Sequence, residues 1–264
     1  MNFDAFAAIR CTASAHSTYE VAVARKNRSP NGVERYLWTP LSASAGEADG
    51  RTYLGKLDLD PETSHQIACT GAWHDAKRQF KLTAFYNRIS DYIQGSPIAR
   101  VVAAKPVLQY QNFDPVDLFG LDAQAAWQID KHFRMRGSLS YVRGKNHDSD
   151  DNLYRIAPLR GTLGLDYLAG AWESSVELDL ADAQNDVAAY NHEARSAGYA
   201  LVHLRAGYTF SNHIKVRAGI ENLCNQSYSD HLGGINRVAR SAVPVGTRIP
   251  GAGRFFYLAC SRDF

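Results

Sequence analysis

Strict alternation of short and long links between two-periodic runs constrains this chain more than any other feature of its sequence. Between Asp117 and Ile220 six segments place apolar residues at every second position, the period of a β-strand with one apolar face. Phe119, Leu121, Ala123, Ala125, Trp127 and Ile129 point one way, and Gly120, Asp122, Gln124 and Gln128 the other. Phe133, Met135, Leu139 and Tyr141 then oppose Arg134, Arg136, Ser138 and Ser140, and Leu163, Leu165 and Tyr167 oppose Gly164 and Asp166. Trp172, Val176, Leu178 and Leu180 oppose Glu173, Ser175, Glu177 and Asp179. "ALVHLRAGYTF" and "HIKVRAGI" carry the pattern on, the latter with Ile214, Val216, Ala218 and Ile220 against His213, Lys215, Arg217 and Gly219. Asp130-Lys131, Ala169-Gly170 and Ser211-Asn212 read as tight hairpin turns, whereas roughly 144–152, 183–197 and 228–251 are long polar links.

In an antiparallel meander this alternation puts every tight turn at one end and every long loop at the other. A soluble sandwich has no reason to segregate its loops so, but an outer-membrane barrel does. The polar face carries Arg134 and Arg136, and Glu173, Glu177 and Asp179, which suit a hydrated lumen better than a packed core. Trp73, Trp127 and Trp172 lie near predicted tight turns and read as an interfacial aromatic girdle. Further strands are expected at about 3–10, 18–27, 63–73, 78–94 and 107–129, with long outer loops from Arg28 to Glu62 and at about 95–106. With the closing strand the count is eleven. That number is odd, and single-chain bacterial barrels close with an even one.

Composition narrows the class by elimination. A chain 45% hydrophobic can bury a core, which excludes wholesale disorder. No stretch reaches the ~18 apolar residues of a membrane-spanning helix, yet a barrel strand crosses with about 9–11 residues of which every second one meets lipid. The net charge of +2 is dispersed, with no basic block among aromatics, so nucleic acid is not an expected partner. "MNFDAFAAIRCTAS" has no basic segment followed by an apolar core, so no signal peptide is expected in it. Cys11, Cys69, Cys224 and Cys260 follow no zinc spacing; they read as four small apolar residues, two disulfides in any of three connectivities being the alternative. His203 and His213, on neighbouring strands flanking the Ser211-Asn212 turn, are placed near the short-turn end, and no metal ligand is nominated. No GxSxG, HExxH, P-loop or dinucleotide fingerprint is present, so catalysis is not expected.

The last segment, "RFFYLACSRDF", ends on an aromatic ring, where a frayed polar terminus is the norm. Phe256, Leu258, Cys260 and Phe264 share one strand face, with Arg262 interrupting it.

Six stretches carry a resemblance. "RKNRSPNGVERYLW" (Arg25–Trp38), "LDLDPETSHQIACTGAW" (Leu57–Trp73), "FYNRISDYIQG" (Phe85–Gly95), "GLDAQAAWQI" (Gly120–Ile129), "GIENLCNQSYSDHL" (Gly219–Leu232) and "PGAGRFFYLACSRDF" resemble, in order, the carboxy-terminal half of TonB-dependent outer-membrane receptors. "SPN" with "ERYLW" and "DGRTYLG" (Asp49–Gly55) is most similar to the TonB-dependent copper receptors.

The resemblance implies an all-β antiparallel transmembrane β-barrel portion, one domain over residues 1–264, supplying about strands 12 to 22 of a 22-stranded barrel. It implies an outer-membrane transporter for copper or another metal complex, copper being cargo and no cofactor being held. A plug domain, a TonB box, a signal peptide and the first barrel half find no counterpart in these residues, so the chain alone is expected to be incompetent for transport. Expected partners are outer-membrane lipid, the barrel assembly machinery and, in a full-length receptor, the TonB complex. Phe256, Leu258, Cys260 and Phe264 then read as the carboxy-terminal signal that the assembly machinery recognises, from which Arg262 departs. Two other readings stay open: a soluble β-rich binding module using its long loops, and a plug-less porin-like pore.

Overall fold

The computed structural model describes residues 3–38, 49–102, 105–211 and 213–262. The strands are β1 (Ala5–Ser14), β2 (Ser17–Arg28), β3 (Tyr53–Leu54), β4 (Glu62–His74), β5 (Arg78–Ser90), β6 (Tyr92–Val102), β7 (Lys105–Phe113), β8 (Val116–Gln128), β9 (Phe133–Asn146), β10 (Asp151–Asn152), β11 (Arg160–Ala169), β12 (Trp172–Ala181), β13 (Tyr199–Thr209), β14 (Ile214–Glu221) and β15 (Phe255–Arg262). One short helix, α1 (Gly32–Tyr36), starts at Asn31, whose side chain accepts from the Glu34 backbone while the Glu34 carboxylate accepts from the Asn31 backbone N–H. That reciprocal capping box satisfies amide groups the helix start leaves unpaired. Among the described residues no helix is long and apolar enough to cross a membrane.

Eleven strands form one antiparallel wall in the order β1-β2-β4-β5-β8-β9-β11-β12-β13-β14-β15, and the two-residue β10 pairs back onto β9. Five short turns fall at one end: between β1 and β2, β4 and β5, β8 and β9, β11 and β12, and β13 and β14. The five long connections fall at the other. The β11–β12 hairpin closes on Ala169 opposite Trp172, so its two turn residues are Gly170 and Ala171, with Gly170 at φ +59°, a conformation glycine adopts without a Cβ penalty. Asn212, half of the turn expected between β13 and β14, lies outside the described residues.

The register reveals the shape of the wall. Arg78 pairs with Trp127, Trp127 with Met135, Met135 with Leu165, Leu165 with Val176, Val176 with Leu204, Leu204 with Ile220 and Ile220 with Phe256. This row starts at the short-turn end of β5 and finishes at the long-loop end of β15. Such a steady drift of register is the stagger of tilted barrel strands. β1 and β15 each pair on one side only, so the wall is open among the described residues.

Among the described residues no second layer covers the wall. Its apolar residues, among them Phe119, Trp127, Met135, Leu139, Leu165, Trp172 and Val176, are exposed, and Asp122 and Gln124 are exposed on the opposite face. The dry part of the molecule lies instead at the long-loop end, where Tyr53, Leu59, Ile93, Leu108 and Tyr110 form the buried apolar cluster.

Three expectations need correction. The segments 78–94 and 107–129 are each two strands, and most of the expected outer loop at 95–106 is strand. Asp91 breaks β5 from β6 with φ +57°, and Pro115, which has no N–H for a ladder, separates β7 from β8. β6 and β7 leave the wall as a hairpin that packs with β3 in a separate three-stranded sheet. β9 also runs to Asn146, so the link expected from 144 starts later.

Candidate functional site

Phe256, Leu258 and Cys260 stand on the apolar face of β15, opposite Ile220, Ala218 and Val216 of β14, with Phe256 70% and Leu258 77% exposed. Phe264 lies outside the described residues. Arg262 faces Ile214 on the same side. At the short-turn end the wall carries an aromatic band: Trp172 contacts Tyr208, Tyr208 contacts Phe210, and Phe133 contacts Tyr167. Cys11, Cys69, Cys224 and Cys260 are free and exposed.

The polar face is organised around Arg205 of β13. Its guanidinium grips both Glu221 oxygens at 2.9 Å and donates to Glu177 at 3.0 Å. Glu177 also takes Arg136 at 2.6 Å, and Arg136 reaches Asp166 at 3.2 Å. His203 meets the far side of Glu221. A continuous ladder Asp166–Arg136–Glu177–Arg205–Glu221–His203 thus crosses β11, β9, β12, β13 and β14. Glu177 sits between two arginines and Glu221 between Arg205 and His203, an arrangement stronger than isolated surface pairs because the Arg205–Glu221 fork is bidentate and the network is shared. Lys215 pairs with Glu173 at 2.8 Å. Gly219 makes room for the Tyr257 ring, whose Cε1 would lie 2.4 Å from a Cβ there. Glu173 and Glu177 of β12 are therefore engaged by cations rather than by each other. His203 is four residues into β13 from its long-loop end and opposes Glu177; it does not share the short-turn end with His213, as the sequence suggested, because the strand continues well past it.

At the long-loop end the five connections are tied into a cap. Asp49, buried, accepts from Tyr53 Oη at 2.6 Å, Tyr154 Oη at 2.8 Å and the Arg51 backbone N–H at 2.9 Å. Burial, with Asp49 beside it, pushes the Tyr154 hydroxyl well above its usual pKa, so it stays a donor. Arg51 donates to the Asn191 carbonyl at 2.6 Å, and the buried Asn191 amide donates to the Gly95 carbonyl at 3.0 Å. Tyr190 Oη donates to Gln94 at 2.6 Å, its own ionisation also disfavoured by burial. Glu193 and His231, both almost fully buried, pair at 3.0 Å between the last two connections. Arg248 donates to the carbonyls of His231, Ala194 and Arg195. Between these loops opens a cavity of about 730 Å³ whose lining includes Asn31, Tyr53, Gln94, Tyr110, Tyr154 and Arg155. Among the described residues no cluster of three or more His, Cys, Asp or Glu is placed to hold a metal ion.

Removing the Asp49 carboxylate takes the acceptor from the buried Tyr154 hydroxyl, at about 1–3 kcal/mol. Asp49→Ala is accordingly expected to open the cap, read as faster proteolytic cleavage within the loops while the strands stay protected; unchanged cleavage would show that the cap does not depend on this hub. Sequence reasoning saw these loops only as long and polar. "DGRTYLG" already held both Asp49 and Tyr53, but nothing in it disclosed the reach to Tyr154.

The family described as TonB dependent receptor-like, beta-barrel matches residues 18–223. Among solved structures, a protein described as copper transporter OprC overlays with a TM-score of 0.86 at 22% identity, covering 98% of this chain and 39% of that one. A ferric enterobactin receptor (PfeA) from Pseudomonas aeruginosa gives 0.74 at 17% identity, covering 100% and 40%. The siderophore receptor PirA from Acinetobacter baumannii gives 0.72 at 17%, covering 98% and 40%. The chain therefore spans about two fifths of the length of these structures. No curated protein matched by sequence.

Proposed function

Because the chain belongs to the TonB-dependent receptor β-barrel family, we propose that it builds part of the wall and loop cap of an outer-membrane uptake receptor whose cargo is copper or another metal complex. The observation that carries this reading is the pairing of two unlike faces on a single staggered wall: exposed apolar rows on one side and the Arg205 ladder on the other. A soluble binding module would have to bury those rows against a second layer, and none is present among the described residues. Copper is supported by the likeness to the copper transporter and by the two stretches that resemble copper receptors. In the structure the first is the capped helix α1 and the second supplies Asp49 and Tyr53 of the cap.

In the whole receptor, the TonB complex would supply the energy for uptake. The β15 face formed by Phe256, Leu258 and Cys260, with Phe264 beyond the described residues, would be read by the barrel assembly machinery. Deleting the encoding gene from its host should lower cell-associated copper under copper limitation by several-fold, measured by mass spectrometry of washed cells and restored by a plasmid copy. Unchanged copper with a lost ferric-siderophore uptake would contradict the choice of cargo.

A further inference from the structure

Two histidines touch at the short-turn end of the polar face. His16 lies in the turn between β1 and β2, and His74 ends β4. They stand opposite one another one step beyond the Ser17–Trp73 pair, and His74 N–H donates to the His16 carbonyl at 2.9 Å. His74 pairs in turn with Gln79, Gln79 with Ala126, and Ala126 with Arg136 of the ladder, which puts it on the side of the wall that we read as facing water. Contact with its ring brings His16 to the same side: the centroids are 5.9 Å apart and the planes cross at 76°, edge to face.

Four other histidines have a ring nitrogen committed. His132 Nδ1 meets the Leu168 carbonyl at 2.9 Å, His147 Nε2 meets Asp117 at 2.7 Å, His203 meets Glu221, and His231 lies between Ser196 and Glu193. His16 and His74 are exposed, and among the described residues their ring nitrogens have no hydrogen-bond partner and no ion pair. Their backbones, by contrast, are pinned. Ser14 Oγ accepts from His16 N–H at 3.1 Å, and Asp75 Oδ1 accepts from the Lys77 and Arg78 N–H groups at 2.8 and 2.6 Å. Asp75 also holds the Arg78 guanidinium at 2.7 Å, so its carboxylate is not a free ligand. Fixed turns and uncommitted lone pairs are what a metal site asks of two ligands.

We propose that His16 and His74 form an open two-imidazole site for Cu(II) at the short-turn mouth of the lumen. Imidazole suits copper, zinc and nickel, and among divalent first-row ions on one set of donors Cu(II) binds tightest. An ion about 2 Å from one nitrogen of each ring sets the centroids no more than about 6 Å apart. The observed separation therefore asks the rings to turn about their side-chain torsions and leaves the strands where they are. Water completes the tetragonal geometry of Cu(II), and with those positions exchangeable the ion is free to move on. That the ion is cargo leaving the lumen rests on the copper reading above; the binding itself does not.

The test uses the untagged full chain folded in detergent, its cysteines capped with methyl methanethiosulfonate so that thiols neither reduce nor bind the ion, and titrated with Cu(II) against glycine as competitor. One ion per chain is expected, with nitrogens of two imidazoles coupled to its electron spin in pulsed resonance spectra. His16→Ala and His74→Ala should each remove one coupling and weaken binding by more than about tenfold, the least that losing even a hydrogen-bond partner of a metal ligand costs. His132→Ala and His213→Ala, at two other short turns, should leave both unchanged, and circular dichroism reports that each variant is folded. Should a variant fail to fold, the nitrogen count in the unaltered chain decides. A single coupled imidazole, no binding above the competitor, or binding that survives both substitutions would overturn the site. Copper bound here, with cell-associated copper unchanged on gene deletion, would keep the site and remove only its part in uptake.

Discussion

Arginine at Leu165 should destabilise the folded chain in lipid vesicles by about 2–4 kcal/mol, the cost of a cation on the lipid face near the middle of a barrel wall. Leu165 lies between Met135 and Val176 in the drifting apolar row and is exposed. Its side chain meets no second layer, so in water the substitution would cost little. The penalty arises only from hydrocarbon. A paired control sharpens the contrast. Ser175 lies half-buried on the opposite, polar face of β12, across from Asp166 and Arg205, and arginine there should shift stability by less than about 1 kcal/mol. Guanidinium titrations of both variants in vesicles give the comparison directly. Equal effects, or a larger one at Ser175, would mean that the two faces have been assigned to the wrong solvents.

The second large effect is expected at Arg205. Replacing it by methionine keeps much of the packing but leaves Glu221 with His203 and Glu177 with Arg136 as their remaining ladder partners. Breaking a fully buried network costs about 3–5 kcal/mol; Arg205 is one-third exposed, and its carboxylates less so, so water offsets part of that and about 2 kcal/mol is expected. Because the loss is electrostatic, a compensating variant is informative. Glu177→Gln together with Glu221→Gln should recover most of the stability in the Arg205→Met background, since replacing both sides of a charge pair removes the unpaired charge. Failure of that rescue would indicate that Arg205 acts through packing alone.

Much of this architecture could be read from residue order, for a clear physical reason. A strand between two different solvents must alternate, and the alternation in Phe119–Ile129, Phe133–Tyr141 and Ile214–Ile220 is written residue by residue. Link lengths then dictate which ends meet. Where the sequence misled, alternation continued while the ladder did not: Tyr92–Val102 and Lys105–Phe113 pair with each other rather than with the wall. Asp91 and Pro115 mark the two breaks, but neither residue alone tells a bend from a strand end. Helix α1 falls in a segment expected as loop: asparagine three residues before glutamate in "NGVE" fits a capping box, but five residues inside an irregular segment carry little periodicity. The ladder and the cap were beyond reach for a different cause. Polar residues at positions 136, 177, 205 and 221 showed which face is wet, but which cation meets which carboxylate depends on register between strands up to eighty-five residues apart. Likewise Glu193 and His231 became neighbours only when two long connections folded over the same rim.

The central claim is that one side of the wall looks onto hydrocarbon and the other onto water, and a spin-label scan along β12 tests it most directly. With the four native cysteines replaced by serine, single cysteines from Trp172 to Ala181 would be labelled in vesicles and their collisions with oxygen and with a water-soluble nickel chelate compared. The account predicts a two-residue rhythm, with positions 172, 174, 176, 178 and 180 favouring oxygen and 173, 175, 177 and 179 favouring nickel. Nickel access equal at both sets, or oxygen preference on the Glu173–Asp179 side, would contradict it.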